Sequence, residues 1–131
     1  MEPIFYIDRS TIRAGALEEV RRRIPELVEF IEESEPQLIA YDFYLDEKGK
    51  HMTVVSVHPN SESLQFHLEV GRSAFKAFAD LIDLYSIEAY GRPSDDVITL
   101  LEDKAAMLGE AGRVEVHERH AGFLRAQSPA S

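Results

Sequence analysis

One histidine in the sequence lies where it could act as an acid or a base. His67 follows Leu64 by three residues and precedes Leu68, so in a helix these three side chains share one face. That face should pack on a sheet and place the imidazole among apolar side chains. The unperturbed pKa of histidine is near neutral, so such a side chain can serve as a general base. The alternative is a packed histidine that is hydrogen-bonded to a neighbour and has no chemical role.

Three aromatic residues of the predicted strands could line a pocket beside this histidine. Tyr41 and Phe43 alternate along one strand, and Tyr90 ends a later one. Their rings would form an apolar wall between sheet and helices, and a tyrosine hydroxyl could orient a bound molecule. The alternative is that all three rings are simply core residues.

The remaining histidines and acids favour no metal site. His117 and His120 are three residues apart, which puts them on opposite faces of a strand, and His51 and His58 are also separated by an odd number. The sequence has no cysteine, which excludes disulfides and thiolate ligands or nucleophiles. The acids near the end of the first long helix are expected to be solvated: Glu29, Glu32, Glu33 and Glu35.

Hydrophobic periodicity predicts the elements that must position these residues. A first strand is expected over residues 4–7, followed by a polar turn over residues 8–15. An amphipathic helix over residues 16–33 should be kinked or divided at Pro25. The later elements are strands over residues 38–45, 51–57, 84–90 and 113–120, and helices that begin near Glu62, Ser73 and Ser94.

This order of elements predicts an α+β protein with a ferredoxin-like fold. An antiparallel sheet would carry helices on one face, with a C-terminal helix and strand added. The strands are apolar on both sides, so the second face also needs a cover. A second copy of the chain, in a dimeric α+β barrel, is the simplest cover, and the alternative is that the C-terminal helix and strand fold back. Residues 1–125 should form one domain, and residues 126–131 a flexible tail.

The composition argues against several classes of function. The 131 residues carry a net charge of −10, which disfavours binding to nucleic acid or to an anionic membrane. The N-terminus does not resemble a signal peptide, and no apolar run approaches the ~20 residues of a membrane helix, so a cytoplasmic protein is expected. No phosphate loop, dinucleotide fingerprint or serine-hydrolase motif occurs.

Several short motifs resemble the antibiotic biosynthesis monooxygenase (ABM) family of the dimeric α+β barrel superfamily. Gly15 opens the first long helix, Glu35-Pro36 precedes the second strand, and Tyr90-Gly91 ends the fourth. The predicted second helix carries Ser-Leu-Gln-Phe-His-Leu at residues 63–68. The resemblance covers about residues 4–90, and residues 92–125 are additional to it.

The resemblance implies a cofactor-independent monooxygenase that acts on a quinol or another aromatic small molecule with O2. His67 would be the catalytic base, and Tyr41, Phe43 and Tyr90 would bind the substrate in a dry pocket. Deprotonation would make the substrate electron-rich enough to reduce oxygen without metal or flavin.

Two residue types associated with sites in characterised members of that family are missing. The chain has no tryptophan, and its first strand has no asparagine. Their absence argues against haem degradation. It favours the alternative of a non-catalytic, dimeric ligand-binding or stress-related protein with the same fold.

Overall fold

The structure is a computed structural model that describes residues 2–110 and 112–125. The tail predicted for residues 126–131 lies outside the described residues. The elements, in chain order, are β1 (Ile4–Ile12), α1 (Leu17–Ser34), β2 (Ala40–Leu45), β3 (His51–His58), α2 (Ser61–Val70), α3 (Arg72–Lys76), β4 (Ile82–Tyr90), α4 (Asp95–Leu108) and β5 (Arg113–His117).

The five strands form one sheet in the order β2-β3-β1-β4-β5. The first four pair antiparallel in the ferredoxin-like arrangement, which confirms the predicted fold class. The fifth strand pairs parallel with β4, so the sheet is mixed rather than wholly antiparallel. The C-terminal strand therefore extends the sheet of its own chain.

The first strand is longer than its sequence predicts. The polar turn expected over residues 8–15 is wrong, because β1 continues to Ile12. This strand is central and pairs with β3 on one side and β4 on the other, so hydrogen bonds on both edges hold it extended. As a result Asp8 and Ser10 point inward with Tyr6, and all three side chains are buried.

Side-chain caps fix the start of the two helices that matter most for the site. The Asn60 side chain accepts a hydrogen bond from the Ser63 amide at the start of α2, and Ser94 does the same for Val97 at the start of α4. The first long helix runs as one element through Pro25, so the pair of abutting helices allowed by the sequence is not formed.

The helices lie on one face of the sheet. The added helix α4 packs against α2 and β4, and its Lys104 reaches the inward side of β1. It therefore does not fold back over the second face, which is the alternative that the sequence left open. On that face Ile7, Val55 and Val57 stay partly exposed, and Phe5 is exposed. No helix of the described residues is long and apolar enough to cross a membrane.

Candidate active site

Several polar and titratable side chains are buried between the sheet and the helices. Two groups of titratable side chains lie there, and each is too deeply buried to be solvated by bulk water. One, the Glu35–His67 pair, joins the end of α1 to α2. The other, the Lys104 cluster, consists of Tyr6, Asp8 and Lys104 and joins β1 to α4.

Glu35 and His67 are completely buried and hydrogen-bonded to each other. Nδ1 of His67 lies 2.8 Å from Oε2 and 3.0 Å from Oε1 of Glu35, and both side chains have 0% exposure. The expectation that Glu35 is solvated is therefore wrong. Its backbone N–H bonds to Ile31 at the last turn of α1, and the carboxylate points at the imidazole instead of at water. A buried carboxylate requires such a partner.

Burial controls the protonation of this pair. It raises the pKa of Glu35 to about 7 and lowers the pKa of His67 to about 3. Above about pH 7 the Nδ1–H of a neutral imidazole donates a hydrogen bond to the carboxylate, and Nε2 carries a free lone pair. Below it the pair gains one proton. When that proton resides on the imidazole, Nε2 carries hydrogen. When it resides on Glu35 and the carboxyl O–H donates to Nδ1, the tautomer shifts and Nε2 carries hydrogen as well.

The second nitrogen of His67 has no hydrogen-bond partner among the described residues, although it is buried. Its ring instead faces the rings of Tyr41, His58 and Phe75, with centroids 5.1–5.2 Å away. An unpaired buried polar atom costs about 1–3 kcal/mol, so it calls for an explanation. A bound molecule that offers a hydroxyl would satisfy it.

His58 provides a direct contrast within the same cluster. Each of its ring nitrogens lies 3.0 Å from a serine hydroxyl, Ser56 for Nε2 and Ser63 for Nδ1. Burial lowers its pKa to about 3, so it stays neutral. His58 is thus the fully hydrogen-bonded, packed histidine that the sequence allowed for His67, whereas His67 keeps one nitrogen free.

The Lys104 cluster combines a cation, an anion and a phenol. Lys104 Nζ lies 2.8 Å from the Tyr6 hydroxyl and 3.3 Å from Oδ2 of Asp8, and the Tyr6 hydroxyl donates to the same oxygen at 2.5 Å. Burial lowers the pKa of Lys104, while Asp8 opposes that shift. Burial and the neighbouring carboxylate raise the pKa of Tyr6 well above its ordinary value. The ammonium also lies 4.1 Å from the centroid of the Phe75 ring.

A cavity of about 30 Å³ adjoins the Lys104 cluster. Asp8, Lys104 and Tyr41 supply its polar lining, and its remaining wall is apolar, including Phe43 and Phe75. This volume holds about one water molecule. His67 does not line it, but Tyr41 and Phe75 contact the His67 ring and also line the cavity, so these two rings separate the cavity from the Glu35–His67 pair.

The structure brings three of the four predicted site residues together. Tyr41 and Phe43 pack edge to face, with centroids 5.1 Å apart, on the same side of the sheet as His67. Tyr90 lies on the opposite face, where its hydroxyl donates to Glu88 and its ring stacks on His117. A bulge in β4 causes this separation. Leu84 points inward before it, but the inward positions after it are Ile87 and Ala89.

Tyr90 belongs instead to a surface concavity of about 300 Å³, which it lines with Phe5 and residues 118–124. Beside it, one ligand atom each of Glu88, Glu115 and His117 lie within 4.8 Å of one another. Glu88 is already paired with Arg9 and Tyr90, so this group is largely occupied by protein partners. His120 is not part of it.

Sequence reasoning missed Asp8 and Lys104, although both leave a signal. Lys104 stands on the apolar stripe of α4 between Leu101 and Leu108, at helical spacing, where a solvated lysine would not be placed. Asp8 has the parity of the inward residues Tyr6 and Ile12 in β1. A charged residue in register with a core face predicts a buried partner of opposite charge.

No family model and no curated protein matches the sequence. Solved structures do match the fold. MupZ from Pseudomonas fluorescens aligns with a TM-score of 0.73 and 16% identity over 98% of this chain and 97% of its own. SnoaB, a cofactor-independent oxygenase from Streptomyces nogalater, aligns with a TM-score of 0.58 and 13% identity over 72% of this chain and 96% of its own.

A protein from Bacteroides thetaiotaomicron that is assigned as an antibiotic biosynthesis monooxygenase aligns with a TM-score of 0.55. The identity is 16%, over 63% of this chain and 84% of its own. The fold is that of the antibiotic biosynthesis monooxygenases. This confirms the resemblance at the level of the ABM fold. The match to MupZ covers nearly the whole chain and therefore includes the C-terminal helix and strand. The other two matches cover a smaller share of the chain.

Proposed function

We propose that this protein is a cofactor-independent oxygenase for a phenol- or quinol-type small molecule, with His67 as the general base. The observation that carries the proposal is the free Nε2 of His67, whose other nitrogen is fixed by Glu35. A carboxylate that holds one imidazole nitrogen sets the tautomer and leaves the other nitrogen able to accept a proton. The ABM fold, shared with an oxygenase, supports the choice of reaction.

The proposed reaction begins with transfer of an acidic substrate proton to Nε2. The resulting anion is electron-rich and reduces O2 itself. One aromatic C–H becomes C=O, one oxygen atom enters the product, and the other leaves as water with two substrate hydrogens. The substrate supplies all four electrons, so the balance is phenol plus O2 to quinone plus water. The apolar wall contributed by Phe43 and Val54 keeps bulk water from the anion.

In this proposal the substrate site is the cavity beside Lys104, enlarged by displacement of Phe75. The Phe75 ring separates the cavity from His67, and the centroids of the Phe75 and His67 rings are 5.1 Å apart. It belongs to α3, a helix of only five residues that follows Gly71. A short helix is held by few internal hydrogen bonds, so its movement costs less than that of α1 or α4. Displacing Phe75 would open a path from the cavity to Nε2.

The direct test is oxygen consumption with a panel of hydroquinones, naphthols and anthrones. We expect at least one compound to give protein-dependent uptake of one O2 per quinone formed, followed by an oxygen electrode and by quinone absorbance. Protein treated with a chelator serves as a control for adventitious metal. If no member of the panel is oxidised faster than in buffer, the assignment as an oxygenase of this class is wrong.

The second candidate is a non-catalytic ligand-binding protein. It is favoured by the small cavity of about 30 Å³ and by the position of His67 outside its lining. In that case the same panel would bind without oxygen consumption. Quenching of tyrosine fluorescence reports binding and the oxygen electrode reports turnover, so the two measurements on the same samples separate the two candidates.

We also propose that the chain forms a homodimer through the helix-free face of the sheet. Ile7, Val55 and Val57 are only partly buried there, and Phe5 stays exposed although it lines a concavity with residues 118–124. Sedimentation at micromolar concentration should give twice the mass of the chain. Val55→Glu on this face should yield monomers, whereas Thr99→Glu, on the exposed side of α4, should not. A wild-type monomer would refute the dimer.

A further inference from the structure

Lys104 is a buried cation that the proposed role of His67 does not use. Its ammonium group directs one hydrogen bond to Tyr6 and one to Asp8, and it lies 4.1 Å from the centroid of the Phe75 ring. An ammonium has three N–H donors, so one is left for a ligand on the side of Phe75. Lys104 lines the cavity directly, which places that donor where a ligand would enter.

The carboxylate beside it is similarly arranged. Both hydrogen bonds to Asp8, from Tyr6 and from Lys104, end on Oδ2, and Asp8 also lines the cavity. The Tyr6 hydroxyl donates to this carboxylate as well, so Asp8 needs no more than one N–H of the ammonium. The cation can therefore gain a second anionic partner without releasing the first.

Charge balance favours an anion at this point once the substrate proton has moved. Before transfer, above about pH 7, the interior holds two carboxylates, Glu35 and Asp8, and one ammonium. Transfer of a proton to His67 neutralises the Glu35–His67 pair and puts the negative charge on the substrate. The buried net charge does not change, and the negative charge of the substrate oxygen comes to lie in contact with the Lys104 ammonium. In a site of low dielectric this arrangement is strongly preferred over creating a new charge.

We infer that Lys104, supplied by the C-terminal helix, is the oxyanion-binding group of this site, and that its ligands are aromatic or enolic molecules bound as the anion of an ionisable hydroxyl. The inference rests on the proposed function, which it extends by naming the group that holds the ionised oxygen. The charged and titratable groups around Lys104 come from β1, the end of α1, β2, β3 and α2: Tyr6, Asp8, Glu35, Tyr41, His58 and His67.

The test uses 4-nitrophenol, whose phenolate has its own visible absorption and which is not oxidised. With excess protein, the pH titration of the bound probe reports its preference for the anion. The wild-type protein should lower the apparent pKa of the probe by about one unit or more, a tenfold preference for phenolate. Lys104→Met should abolish this shift, and Lys76→Met, an exposed lysine next to Phe75, should leave it unchanged.

Lys104→Met leaves Asp8 without its cation, so the double variant Asp8→Asn with Lys104→Met is the folded reference. Circular dichroism and the urea midpoint establish that each variant is folded. The inference is overturned if the wild-type protein does not bind the probe, if it prefers the neutral phenol, or if a folded Lys104 variant keeps the shift. Since no oxygen is consumed, the outcome is separate from that of the oxygenase assay.

Discussion

Replacement of His67 by alanine is expected to lower the rate of oxygen consumption by about 10²- to 10⁴-fold, the usual contribution of a general base. Nε2 of this residue is buried without a partner, and Nδ1 is held at 2.8 Å by Glu35, so no other described imidazole offers a free nitrogen in the same place. The rate is measured with the best substrate of the panel. An equal rate in wild type and variant would remove His67 from the mechanism.

Two further variants separate loss of the base from loss of packing. His67→Gln can still donate a hydrogen bond to Glu35 but cannot accept a proton, so its activity should match that of the alanine variant. His58→Gln changes a histidine of equal burial whose nitrogens are both bonded to serines. It should cost stability but keep most of the activity. If His58→Gln loses as much activity as the His67 variants, the loss in those variants reflects disturbed packing rather than the absence of a base.

The wild-type rate should rise with pH through about 7. The physical reason is that the Glu35–His67 pair must lose its shared proton before Nε2 has a free lone pair, and burial sets the pKa of Glu35 at about 7. In Glu35→Gln this rise should disappear, because the titrating carboxyl is gone. A wild-type profile that is flat between pH 6 and 8, or that falls, would contradict the assignment.

Replacement of Asp8 by alanine is expected to destabilise the protein by about 3–5 kcal/mol, because it leaves Lys104 buried without a counter-ion. The Tyr6 hydroxyl loses its acceptor in the same step, since both groups now bond to Oδ2. The measurement is the free energy of unfolding in urea at neutral pH. A loss below about 1 kcal/mol would mean that the ammonium escapes to solvent in the variant.

The unpaired charge of Lys104 also determines how the stability of Asp8→Ala can be restored and how it depends on pH. Adding Lys104→Met to Asp8→Ala should restore most of the stability, giving a large coupling in the double-mutant cycle. In Asp8→Ala alone, the pKa of Lys104 should fall further below its ordinary value, so the unfolded chain binds more protons than the folded one. Stability of the single variant should therefore increase with pH, and more steeply than that of the wild type.

The two polar centres of the interior share Phe75 as an aromatic neighbour. Phe75 contacts the Lys104 ammonium on one side and the His67 ring on the other. The proposed substrate ring would take its place between a base and a cation. The ABM fold supplies β1 and α2 for this arrangement, and the C-terminal α4 supplies the cation.

The sequence by itself determined the local elements and one member of the site. The helix starts near Glu62 and Ser94, and the helical spacing of Leu64, His67 and Leu68, depend on residues close in the chain. Such patterns depend on periods of two or three to four residues, so they can be recognised without knowing the fold. They were sufficient for the ferredoxin-like order and for the face on which His67 lies.

Only the tertiary structure decided which charges are buried and which face each aromatic residue takes. Asp8 and Lys104 are 96 residues apart, and each is tolerated inside only because the other neutralises it. Glu35 is buried because α2 presents an imidazole to it, and Tyr90 changes face because a single bulge shifts the parity of β4. Burial of a charge depends on a partner in space, and strand parity depends on pairing with a neighbour, and neither is encoded in local periodicity.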